Sequence, residues 1–201
     1  MPAPLRRLPS PISLQERAAA DLDFIRGAME RSGSFTAVPG RGGVAMGVVA
    51  LVAAASAQLA AGQEVWLAVW VVAAFVALAI GLVTMQRKAA SEGVLLLAGS
   101  GRRFLMCLGP ALLVGALLTA GLARAGELEL LPATWLLCYG AGVVSAGALS
   151  APIVPATGAA FLALGALALA APPAWGDALM ALGFGGVHIV SGLLVARRHG
   201  G

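Results

Sequence analysis

Five side chains in the second half of the chain have the types and spacing for chemistry: Tyr139, Ser145, Thr157, His188 and Ser191. Each lies in a stretch built mostly from Ala, Gly, Leu and Val. His188 is the ionisable residue nearest the middle of an apolar run, and Ser191 follows it on the same side of a helix. An ionisable group in such a setting is costly and faces a bundle interior or a cavity. The five residues form a candidate polar centre for a ligand or a proton. A neutral histidine bonded to a neighbouring hydroxyl or carbonyl accounts for the same residues structurally. No Asp or Glu stands beside His188 as a counter-charge, which argues against proton coupling.

Other chemistry is poorly represented. There is no H-E-x-x-H, no G-x-S-x-G, no carboxylate pair within a run and no His/Cys cluster. No catalytic residues, metal or cofactor are therefore expected, and the chain reads as a non-enzyme. Cys107 and Cys138 fall at different depths, too far apart to bridge as a disulfide. Two glycine-rich basic segments, Pro39-Gly40-Arg41-Gly42-Gly43 and Gly99-Ser100-Gly101-Arg102-Arg103, offer backbone donors beside arginine. Neither has the P-loop pattern. Arg41, Arg102 and Arg103 are candidate contacts for lipid headgroups and serve to anchor the topology.

The elements that position these residues follow from composition. Of 201 residues, 60% are hydrophobic and 11% charged. Soluble domains carry about 25% charged residues. Apolar runs long enough to cross a bilayer recur, without the period-two alternation of a membrane barrel. The expectation is an all-α integral membrane protein. Its bundle has six transmembrane helices: 44–61, 65–84, 104–122, 131–149, 153–171 and 178–196. Residues 1–43 form a cytoplasmic tail, and 44–201 form the membrane domain.

Charge sets the orientation. Twelve of the 13 basic residues fall in the N-terminal segment, the loop between the second and third spans, and the C-terminal tail; only Arg124 falls on the other side. Cationic loops stay in the cytoplasm, so both termini are expected inside. Trp66, Trp135 and Trp175 fall near the outer interface, where indoles favour the headgroup level. The net charge of +4 is thus accounted for by orientation, and no nucleic acid is expected.

Ahead of the spans, Ser13-Leu14-Gln15-Glu16 has the capping-box form, and Leu14, Ala18, Leu22, Ile25 and Met29 recur on one helical face. This predicts an amphipathic helix over 13–32. Leu22, Ile25, Arg26 and Met29 are its candidate contacts with lipid, with a cytoplasmic or membrane protein partner, or with the protein's own loops. Pro39 ends any arriving helix, and Gly40, Gly42 and Gly43 read as a hinge into the membrane.

Three finer patterns bear on packing. The small-residue pairs Ala141/Ser145 and Gly142/Ala146, and Gly183, Gly185, Gly186 and Gly192, suit close helix approach within the bundle or in a homodimer. Pro110 frees the Met106 carbonyl and predicts a kink. Faint echoes between spans one and four, and between two and five, fit a three-plus-three inverted repeat.

The stretch Phe35-Thr36-Ala37-Val38-Pro39-Gly40-x-Gly42-Gly43-Val44-Ala45-Met46-Gly47 resembles an uncharacterised family of bacterial multi-spanning inner-membrane proteins. The resemblance continues through Leu131-Pro132-x-Thr134-Trp135-Leu136-Leu137 and Tyr139-Gly140-Ala141-Gly142. It closes with Gly185-Gly186-x-His188-Ile189-Val190-x-Gly192-Leu193-Leu194-x-Ala196-Arg197-Arg198. It implies a multi-pass protein of the bacterial inner membrane and no particular activity.

Two functions fit these observations. One is a non-catalytic sensor, anchor or accessory subunit acting through a protein partner. The other is a small-solute permease with its polar centre at His188.

Overall fold

A computed structural model of the chain describes Arg17, Asp21, Leu22, Phe24, Ile25, Phe35 and residues 37–93, 95–148 and 150–199. The chain divides into a unit of residues Met1–Gly33 and a unit of residues Ser34–Gly201. In the first unit, Arg17, Asp21, Leu22, Phe24 and Ile25 are helical and exposed. The rest of the expected amphipathic helix, with Arg26 and Met29, lies outside the described residues.

Among the described residues, the second unit is all helix apart from its turns and a single parallel bridge between Phe35 and Ser150. We label the helices α1 (Gly40–Ala57), α2 (Gln63–Ser91), α3 (Gly99–Ala125), α4 (Leu131–Gly147) and α5 (Ile153–Ala170). The last stretch comprises α6 (Gly176–Met180), a π-helical segment (Ala181–Val187) and α7 (His188–His199), which run on as one rod. Among the described residues, six helical stretches are long and apolar enough to cross a membrane: α1, α2, α3, Leu128–Gly147, α5 and Pro173–Arg198.

Their ends differ from the runs read in the sequence. Helix α2 continues past residue 84 to Ser91, and α3 begins at Gly99, so the loop expected over 85–103 shrinks to 92–98. Polar residues such as Arg87 and Lys88 do not end a helix, because long cationic side chains keep their heads in water while the backbone stays helical. What ends α2 is Gly93, at φ 69°. Gly126, at φ 78°, ends α3 in the same way, with the Glu127 N–H bonding back to the Leu122 carbonyl at 2.9 Å. The left-handed conformation turns orphan carbonyls toward such donors, and glycine adopts it without a Cβ penalty.

Gly40, Gly42 and Gly43 are not a hinge. Pro39 stands just ahead of α1 as its N-cap residue, and all three glycines lie inside the helix. Their role is contact. A Cβ at Gly43 would come 3.2 Å from the Gly192 Cα, and one at Gly192 would meet the Gly40 carbonyl at 2.6 Å and the Val44 nitrogen at 2.7 Å. One at Gly47 would meet the Gly185 carbonyl at 2.7 Å. Gly40, Gly43 and Gly47 thus form a seam along which α1 and the last rod lie backbone to backbone. Lipid tails supply no hydrophobic drive between helices, so this close packing holds them together.

A second seam joins α4 and α5. A Cβ at Gly158 would come 2.6 Å from the Val144 nitrogen, one at Gly147 2.6 Å from the Pro155 nitrogen, and one at Gly140 2.9 Å from the Leu162 nitrogen. The seam face of α4 therefore carries Gly140 and Gly147. Of the pairs read in the sequence, Gly142 packs on Leu108 and Ala111 of α3 and Ala146 is buried, whereas Ala141 and Ser145 are exposed.

Helices α2 and α3 sit apart from this compact part. Helix α2 packs along α1, α3 packs along α4, and no packing seam joins α2 to α3. Only 6% of the apolar window of each is buried, against 44% for α1 and 50% for Leu128–Gly147. Pro110 does not interrupt α3, which is helical throughout Gly99–Ala125.

Candidate functional site

The gap between α2 and α3 is a cleft of about 530 Å³. Phe75, Leu78 and Leu82 of α2 and Leu108, Ala111 and Leu112 of α3 line its two walls. Its floor is built by α1, α4, α5 and the last rod. None of the described residues lining it is charged.

Tyr139 and His188 lie in that floor. The Tyr139 hydroxyl is 2.7 Å from His188 Nε2, and His188 Nδ1 is 3.0 Å from the Phe184 carbonyl oxygen one turn back. A carbonyl only accepts, so Nδ1 carries the proton and donates to it; Nε2 then accepts from the Tyr139 O–H. Phe161 and Phe184 complete a four-ring box. Their centroids lie 4.8 and 5.5 Å from Tyr139, and that of Phe161 lies 5.1 Å from His188. Edge and tilted contacts of this kind fix ring orientation. The box draws on α4, α5 and the last rod, so it rests on the α4/α5 seam. The π segment ends directly at His188. Such wide turns often stand at functional sites.

Of the five residues first singled out, the structure joins two directly. Thr157 and Ser191 line the same cleft but bond to their own helices, Thr157 to the Ile153 carbonyl at 2.8 Å and Ser191 to the His188 carbonyl at 3.3 Å. Ser145 lies on the exposed face of α4 and takes no part in the cleft. Leu22 and Ile25 are exposed, as a contact role requires, and Arg41 and Arg102 are exposed at the basic end with Arg103 half-buried.

Each end of the cleft has its own closure. At the basic end, Phe35 and Ala37 are 1% exposed, and Val38 and Pro39 line the cleft. The Ser150 hydroxyl donates to the Phe35 carbonyl at 2.6 Å, Lys88 Nζ donates to the Val38 carbonyl at 3.1 Å, and the Phe35 ring lies 4.9 Å from that of Phe104. Residues 35 and 37–39 thus form a strap tied to α2, α3 and the α4–α5 turn.

At the opposite end stands a group that sequence reasoning missed. The Asp177 carboxylate accepts from Trp66 Nε1 at 2.8 Å, Trp70 Nε1 at 3.2 Å and Gln58 Nε2 at 3.0 Å. Trp66 stacks on Trp135 at 5.8 Å, and Trp135 Nε1 donates to Thr119 Oγ1 at 2.8 Å. The chain of contacts therefore runs from the last rod through α2 and α4 to α3. Trp66 and Trp135 face inward and join helices, while Trp175 alone of the expected interfacial set is mostly exposed, at 56%. The signal available was the spacing of Trp66 and Trp70, which puts two indole donors on one face of α2, opposite a lone carboxylate opening another span.

No protein-family model matches the chain, and no curated protein and no solved structure matches it either.

Proposed function

We propose that this chain is a non-catalytic multi-pass protein of the bacterial inner membrane, with both termini in the cytoplasm. It receives a small membrane-dissolved molecule in the cleft between α2 and α3, and it acts through a protein partner as a sensor or accessory subunit. The observation that carries this reading is the cleft itself: its walls are apolar, its floor holds a half-buried tyrosine bonded to a buried histidine, and its volume of about 530 Å³ suits a small molecule. The exposed Leu22, Phe24 and Ile25 support a partner contact on the N-terminal unit.

Gentle extraction with a C-terminal tag, followed by native mass spectrometry, tests it. The expected result is a stoichiometric protein partner that is lost on deletion of residues 13–32 while the bundle stays folded. Unchanged co-purification after that deletion would overturn the partner role.

A small-solute permease is the second reading, favoured by a histidine deep in the bundle. The strap and the indole network at the two ends weigh toward binding over passage. Uptake into liposomes that disappears in a folded His188→Ala variant would reverse that preference.

A further inference from the structure

The hydrogen-bond inventory of the cleft is one-sided. The Tyr139 O–H is committed to His188 Nε2, and the His188 N–H to the Phe184 carbonyl. The Thr157 and Ser191 hydroxyls donate to the carbonyls of Ile153 and His188, and Thr119 donates to that of Gly115 at 2.7 Å. The two indoles lining the cleft are spent as well, Trp70 on Asp177 and Trp135 on Thr119. Backbone N–H groups along the walls are used within the helices. Among the described residues, and apart from the weak thiol donor of Cys138, every polar side chain lining the cleft has given its proton away. What remains open is a set of oxygen lone pairs, that of the Tyr139 hydroxyl among them. A hydroxyl oxygen that donates can still accept.

We infer that the cleft takes a neutral amphiphile bearing a hydroxyl, an alcohol or phenol, whose O–H donates to the Tyr139 oxygen while its apolar body lies between α2 and α3. This rests on the cleft-binding reading above. A ligand that can only accept, such as an ether or a ketone, would lose its bonds to water and find no donor in return. An anion would meet lone pairs, and a cation would meet no carboxylate among the described residues lining the cleft. A binding protein of this kind distinguishes a hydroxyl compound from its methylated or oxidised counterpart of nearly the same shape. The selection comes from the ligand: the alcohol keeps one hydrogen bond through its O–H on leaving water, and the ether keeps none.

The test uses the full-length protein in nanodiscs with two probes, dodecan-1-ol and 1-methoxydodecane, at equal mole fraction in the bilayer. Emission of Trp70 and Trp135, which line the cleft, reports binding, and the unfolding midpoint gives a second readout. The alcohol is expected to bind at least about tenfold more tightly than the ether. The double variant Tyr139→Phe/His188→Leu, which removes both polar partners together, should bind the two probes equally. Ala74→Phe at the rim should weaken both. Equal affinity of the unaltered protein for the two probes, or preference for the ether, overturns the inference while leaving the cleft a binding site. Binding of neither probe overturns both. If the double variant does not fold, the probe pair on the unaltered protein decides the question alone.

Discussion

Gly192 of the last rod and Gly109 and Gly121 of α3 are the same residue type with opposite consequences. A Cβ at Gly192 would run into the backbone of α1, and one at Gly183 or Gly185 into the leucine side chains Leu136 or Leu51, whereas a Cβ at Gly109 or Gly121 of α3 would meet nothing within 4 Å. One part of the molecule is held by backbone contact; in the other, α2 and α3 each pack along one helix, are tied elsewhere only by side chains, and face a gap. The rigid part positions Tyr139 and His188; the loose part forms the walls. A binding cleft needs both, because ligand access is drawn from the less stable elements of a fold and ligand geometry from the more stable ones.

Substitutions can break this contrast in graded steps. The largest effect is expected at the seams. Gly192→Leu or Gly158→Leu should cost about 3 kcal/mol or prevent folding, because rigid backbone cannot yield to the added side chain. A denaturant unfolding midpoint in detergent measures it, and a wild-type midpoint would show that the seam is slack.

Next come the polar ties. Asp177→Ala strips one acceptor from three donors and should cost about 1–3 kcal/mol, with Asp177→Asn recovering part of the loss. His188→Leu, which leaves the Tyr139 hydroxyl without its acceptor, should fall in the same range. Adding Tyr139→Phe should restore part of the stability, since removing both partners leaves no orphan. Additive losses in that double variant would mean that the pair is not coupled.

The smallest effects belong to the loose part. Gly121→Ala, in open space within a helix, should leave stability unchanged or raise it by up to about 1 kcal/mol. Ala74→Phe should move the midpoint by less than about 0.5 kcal/mol while altering probe binding. A large loss from either would mean that α2 and α3 are packed as tightly as the seams.

Much of this was legible before any coordinates. Apolar runs fix the number of candidate spans, because transfer into lipid depends on composition more than on order. His188 and Tyr139 stood out because polar groups are rare in such runs. The seam glycines were misread at residues 40–43, since glycine serves a turn and a close approach equally well and local sequence does not say which. Ser145 was grouped with the polar centre although its face of α4 points outward. Asp177 was passed over as a hairpin residue because its partners, Gln58, Trp66 and Trp70, lie more than 100 residues away in the chain. The cleft had no signature at all. It is the lack of packing between two helices, and no residue encodes an absence.

The π segment sets a phase. An α-helix advances about 100° per residue, so one residue more or less between Met180 and His188 turns everything beyond it by that angle. Loss of a single residue from Ala181–Val187 would rotate Gly192 off α1 and His188 away from Tyr139 in the same motion. The rod therefore works like a keyed shaft: one inserted residue aligns both the fastening and the site, and neither can be retuned alone by insertion or deletion in this stretch. Variation in ligand preference would have to come from the walls, where α2 and α3 can change residue by residue without disturbing that alignment.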